Sequence, residues 1–194
     1  MGYQITQAPA GEPLTLVEVK AHLRVELPDD DALILLLITA VRQHAEQITA
    51  RSLMTQKWSY VTDGFYKPET ATLRLEKGPI TSIDSINYVA MDGTTQVMPA
   101  TDYIADLSGQ LARITPRFGK IWPITLPQIA STTVNFTAGY GAAADVPQGL
   151  KHWIKLRIGS LYENREDVLV GPRIIVIEMP FIDSLLEPYR IVRA

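Results

Sequence analysis

Apolar residues recur along this chain with two different periods, and the changes of period divide it. In "LTLVEVKAHLRV", Leu16, Val19 and Leu23 follow the helical period. Thr15 stands as N-cap with Glu18 three residues on, a capping-box pattern. Pro28 in "LPDDD" disfavours helix at Leu27 and ends the element. A long helix is predicted next, with Asp29 and Asp30 as N-cap candidates and fading at Arg51 or Ser52. Leu33, Leu37, Val41, Ala45 and Ile48 form one stripe, which Ile34, Leu35 and Ile38 widen past a simple amphipathic face. So broad a stripe suits a helix that is central in a bundle or packed on two sides. In a small domain a neighbouring subunit is a candidate for the second side.

From Thr55 to Ala138 the period shortens to that of strands. "KWSYVTD" alternates, with Trp58, Tyr60 and Thr62 on one face. "ATLRLEKGP" places Leu73 and Leu75 together before a Gly-Pro turn. "SIDSINYVAMDGTTQVMP" reads as a hairpin across Asp92-Gly93. "DYIADLSGQLARITP" repeats the device at Ser108-Gly109, and "STTVNFTAG" is a last, β-branched strand. "RFGKIWPITLPQIA" carries Pro123 and Pro127, so it is expected to be an extended loop, tethered by Ile121 and Trp122.

The helical period returns after Pro147, with Leu150, Trp153, Ile154, Ile158 and Leu161 on one stripe to about Asn164. "NREDVLVGPRIIVIEMP" is irregular, and "FIDSLLEPYR" reads as a final short helix. Helices, then strands, then helices argue against a parallel doubly wound sheet. The expected fold is α+β: a helical domain of residues 1–54 and 141–194, interrupted by an antiparallel β insertion, 55–140.

Composition narrows the chemistry. The 194 residues are 46% hydrophobic and 20% charged, which suits a packed core rather than a disordered chain. A net charge of -3 lacks the basic excess of a protein that wraps nucleic acid. With no cysteine, disulfides, thiolate-held metal and thiol catalysis are excluded. The start has no basic or apolar leader region, and the greasiest run, Ala32 to Val41, is too short to span a bilayer.

No catalytic constellation emerges. "GYGAAAD", from Gly139, resembles a phosphate loop but has Ala144 where a third glycine belongs, and neither lysine nor a βαβ context. Gly139 and Gly141 are better read as positive-φ residues turning a strand, with Asp145 and Pro147 launching the helix. His22, His44 and His152 lie on separate helices with no metal-ligand spacing. There is no G-x-S-x-G, and the acidic pairs fit capping and solvated loops. Two basic clusters stand out: Arg113, Arg117 and Lys120, and then Lys151 with Lys155 at i, i+4. They admit a sequence-independent DNA-binding module as one alternative. A nucleotide-binding protein using the glycine loop is a weaker one.

The ordered motifs resemble a family. Leu14 to Leu53, "LTLVEVKAHLRV…TARSL", is similar to the opening of the head–tail connector (adaptor or head-completion) proteins of long-tailed bacteriophages and prophages. Ala50 replaces the glycine usual in the family's "T-G-R-x-L". "FTAGYGAAADVPQGLKHWI", "YENRE" and "LLEPYR" match three further hallmarks, so the resemblance spans nearly the whole chain. It implies a structural virion protein without catalysis or cofactor. Such proteins form a closed, nominally twelve-fold ring of about a dozen copies. The ring sits on the portal protein at the head–tail interface, assembled in the bacterial host cytoplasm. Its implied partners are further copies of itself, the portal, the next adaptor, stopper or tail-completion protein, and packaged DNA passing non-specifically; no membrane is involved.

Candidate subunit or portal contacts under this expectation are Leu35, Leu36, Ile38, Lys151, Lys155, Ile174, Ile175, Val176, Ile177, Tyr189, Arg190 and Arg193. Arg113, Arg117 and Lys120 are candidate channel or interface charges. "VLVGPRIIVIEMP" is too apolar for a free loop and is expected to be buried against another subunit or the portal.

Overall fold

The computed structural model describes residues 2–65, 72–164 and 183–191. The fold is α+β, and the chain divides into two compact units. One comprises Met1–Ala10 and Met54–Tyr140, the other Gly11–Leu53 and Gly141–Ala194.

The first unit is built of strands β1 (Gly2–Gln7), β2 (Gln56–Thr62), β3 (Leu73–Leu75), β4 (Ile80–Val89), β5 (Thr95–Val97), β6 (Tyr103–Asp106), β7 (Ala112–Pro116) and β8 (Thr132–Ala138). A five-stranded sheet runs β1-β2-β8-β4-β5 and a three-stranded one β3-β7-β6. Every pairing among them is antiparallel. Trp58, Ile86, Val134 and Phe136 of the larger sheet share one buried cluster with Leu73, Leu75 and Ile114 of the smaller. Burying this apolar surface from both sheets is what holds the unit together. Both expected hairpins are present. The first turns at Gly93, whose φ of 82° favours glycine.

β1 has no counterpart among the elements expected from sequence. It pairs with β2 in the register Tyr3↔Tyr60 and Ile5↔Trp58. Tyr3 packs edge-on to Trp58 and Phe136, and its hydroxyl accepts the Glu76 backbone N–H at 2.8 Å.

The second unit holds helices α1 (Leu16–Leu23), α2 (Asp31–Thr49) and α3 (Gln148–Glu163), with short 3-10 turns at Pro28–Asp30, Ala143–Asp145 and Glu187–Tyr189. The α1 capping box forms as expected: the Thr15 hydroxyl accepts from Glu18 N–H, and the Glu18 carboxylate accepts from Thr15 N–H. In α2 the buried line is Ile34, Ile38, Val41, Ala45 and Thr49: Val41 and Ala45 of the expected stripe and Ile34 and Ile38 of its widened edge are inside, while Leu33, Leu37 and Ile48 are only half-buried. The helix stops at Thr49 rather than Arg51, because Ala50 adopts a left-handed φ of 56°. Arg42 lies inside this unit, its Nε on Glu12 at 2.6 Å and its Nη1 on Glu46 at 2.7 Å. Glu46 also accepts the Leu53 N–H at 2.8 Å, so one carboxylate ties α2 to the chain that leaves it. Leu150, Trp153, Ile154 and Ile158 of α3 are buried, whereas Leu161, at the end of the expected stripe, is exposed.

Candidate assembly surfaces

Backbone geometry first removes one chemical reading. Gly139 and Gly141 have φ of 131° and 105°, as a sharp turn out of β8 requires. A Cβ on Gly139 would lie 2.3 Å from the Met54 carbonyl oxygen. The backbone N–H a phosphate would seek, that of Ala142, already donates to the Asp145 carboxylate at 3.0 Å. A fixed negative charge therefore occupies the anion position, and the loop is a joint.

The basic strand cluster is largely neutralised. Arg113 pairs with Asp106 at 2.5 Å and Lys120 with Asp102 at 3.1 Å. The Ser108 hydroxyl, then Arg113, hold the Asp106 carboxyl down at about 2. Arg117 is exposed and has no ion pair among the described residues. A single unpaired cation is a poor phosphate track, so the DNA-binding alternative loses its main support.

On α3, Lys151 is a largely buried stem and Lys155 is half-buried. Glu18 of α1 has its carboxyl held below the ordinary value, chiefly by hydrogen bonds from Thr15, with smaller help from Lys155 and Lys151. The two lysines are thus part of the electrostatics of their own unit, which a one-dimensional reading could not show. Tyr189 is likewise committed internally. Its ring lies over Gly149, where a Cβ would come within 3.1 Å of the phenolic oxygen, and its carbonyl accepts from Arg51. Ile191 N–H adds a bond to the Thr49 carbonyl at 3.0 Å, and Trp153 donates to Asp183 at 3.1 Å. Arg190 is exposed beside Glu187.

Of the α2 candidates, Ile38 is core: it is 1% exposed within its own unit, so it is not available to a partner. Leu35 and Leu36 face outward at 51% and 65% exposure. Ile174, Ile175, Val176, Ile177 and Arg193, and with them the apolar stretch "VLVGPRIIVIEMP", lie outside the described residues.

One exposed apolar feature among the described residues was not among the candidates. In the loop between β7 and β8, Phe118, Ile121, Ile124 and Ile129 all project into solvent. Ile121 is therefore not the tether expected of it. Trp122 is: it stacks on Phe65 at 4.5 Å and 7°. Leu126 N–H donates to the Val89 carbonyl and Ala130 N–H to Asp63, both at 2.9 Å, so the loop is fixed while its isoleucines face out. A cavity of about 490 Å³ opens beneath it, lined by Phe65, Trp122, Pro123 and Ile124 among others. Sequence offered one signal, four large apolar residues in a segment barred by prolines from regular structure.

Among the described residues no cluster of metal-ligating side chains occurs, and no helix is long and apolar enough to cross a membrane.

Residues 13–77 match the model of a family described as phage gp6-like head-tail connector protein, about one third of the chain. Three solved chains match across all of this one and 97% of their own length. One is from the neck of an empty gene transfer agent (GTA) particle computed with C6 symmetry, at TM-score 0.80 and 24% identity. Another is from the virion of a native particle, at 0.81 and 23%. A third is from the neck of a native particle computed with C12 symmetry, at 0.77 and 23%. At such identities the likeness establishes a shared fold. No curated protein sequence matches.

Proposed function

We propose that this chain is a non-catalytic structural component of the neck of a phage or phage-like particle, forming a homo-oligomeric ring between the DNA-filled head and the tail. One observation carries the reading: the chain matches, over its full length, chains from particle necks treated with six- and twelve-fold symmetry. The connector-family match over 13–77, which covers α1 and α2, supports it from an independent direction. Twelve copies on the portal vertex, with the ring extending the DNA channel and presenting a surface to the next adaptor or stopper, is the arrangement that fits best. Location in the virion, after assembly in the host cytoplasm, follows from it.

In this reading the outward-facing Leu35 and Leu36 are subunit contacts. Arg190 remains a candidate contact toward the portal, whereas Ile38, Lys151 and Tyr189 serve mainly their own unit. The test is electron microscopy and mass photometry of the purified chain, alone and with its cognate portal. Rings, free or portal-bound, are the expected outcome. A chain that stays monomeric and does not bind portal overturns the reading.

A further inference from the structure

A ring needs two different, complementary faces on every copy, because each subunit meets its neighbours head to tail. We infer that one of these faces is the β7–β8 loop, and that its receptor is the start of α2 on the next copy of this chain. The inference rests on the ring reading above and specifies its contact.

Two observations carry it. The first is the loop itself: Phe118, Ile121, Ile124 and Ile129 are each at least three-quarters exposed, yet the backbone beneath them is pinned by Trp122 on Phe65 and by the bonds to Val89 and Asp63. Apolar side chains held outward on a fixed backbone lose little entropy on docking, which is the economy of a preformed contact. The second is charge. The loop segment 117–130 contains no acid; of its two bases Lys120 is paired with Asp102, and Arg117 is exposed with no ion pair among the described residues. The segment before and at the start of α2, 26–31, contains Glu26, Asp29, Asp30 and Asp31 and no base. Within it Asp31 is engaged by Lys20 and Asp30 by Tyr162, while Glu26 and Asp29 are exposed with no ion pair among the described residues.

The acidic turn also offers apolar surface of its own. Leu27 is 68% exposed, and Leu35 and Leu36 follow on the outward face of α2. One face is apolar and basic, the other apolar and acidic, and both belong to every copy. Arg117 would meet Glu26 or Asp29 at the rim while the isoleucines cover the leucines. Such an arrangement gives register from the charges and affinity from the apolar centre. A second copy is favoured over an unrelated partner because this chain itself carries the matching surface.

The chain's lack of cysteine makes the test direct. Ile121→Cys and Leu27→Cys full-length chains are purified separately, mixed, and concentrated until oligomers form, or co-assembled on portal. They are then treated with a short bis-maleimide. The mixture should yield cross-linked dimers containing both variants, and neither variant alone should yield them above background. Arg117→Glu should raise the concentration needed for half-assembly by about tenfold, and Glu26→Lys with Asp29→Lys in the same chain should restore it. Rings that form without the mixed cross-link, or that tolerate Ile121→Asp unchanged, overturn this contact and leave the ring reading standing. Cross-linking of Ile121→Cys to portal alone assigns the loop to that partner instead. Absence of any oligomer under either condition sinks both.

Discussion

Ala50 shows how much one backbone angle can explain. It terminates α2 in the left-handed region, where a side chain costs roughly 1–2 kcal/mol and glycine costs little. Connector proteins that the sequence resembles usually place glycine there. Ala50→Gly should therefore stabilise the chain by up to about 1 kcal/mol, part of the gain being offset by glycine's greater freedom in the unfolded state. Denaturant unfolding of the two proteins checks it. Asp106 supplies a second residue-scale expectation. Its folded pKa of about 2 lies below the ordinary 3.8, so its contribution is present above the unfolded value and is lost as pH falls from about 4 to about 2. Ser108→Ala removes the largest cause, and an NMR titration of the Asp106 carboxyl should show its midpoint rising toward 3.8. An unchanged midpoint would assign the effect to Arg113.

Elements were legible in the sequence where their information is local. The α1 capping box is contained in Thr15 to Glu18, and the β4–β5 turn in Asp92-Gly93. Elements defined by distant partners were not. β1 is an edge strand whose residues are nearly all exposed; its alternation rests on two apolar positions only, Tyr3 and Ile5, and its pairing with β2 spans fifty or more residues of chain. The loop anchor at Trp122 depends on Phe65, and the burial of Arg42 depends on Glu12. Which part of the broad α2 stripe is inward has the same origin: Leu and Ile are abundant on several faces, and only tertiary packing buries Ile34 and Ile38 in preference to Leu33 and Leu37. Of the candidate surface, Leu35 and Leu36 could be found by periodicity, whereas the exposed isoleucines could be found only once the loop's path was known. At this scale the joint gives the clearest expectation. Gly139→Ala places a Cβ 2.3 Å from backbone oxygen at a φ of 131°, so the variant should lose several kcal/mol or fail to accumulate. Gly141→Ala meets only the Asp145 side chain at 3.2 Å and should be milder. Thermal melts of the pair, side by side, measure the difference.

For the whole molecule, the proposed ring would draw on residues other than those that hold the fold. Leu36 is 65% exposed, so Leu36→Glu should change unfolding free energy by no more than about 0.5 kcal/mol. The same change would put a charge into the proposed apolar contact and should abolish ring formation by mass photometry. Loss of stability in parallel with loss of rings would mean that Leu36 serves its own fold. Gln56 of β2 pairs with Ala138 of β8, so the two ends of the 54–140 segment leave from neighbouring strands. A segment that enters and exits at one point can be exchanged like a cassette, its length and loops varying while the helices stay uncut. β1 qualifies this freedom. The outermost strand of the same sheet is donated from the start of the chain, ahead of α1. A graft of 54–140 alone would leave Trp58 and Phe136 without Tyr3, so a working exchange between two such proteins must carry both segments, 1–10 and 54–140, as one inheritable module.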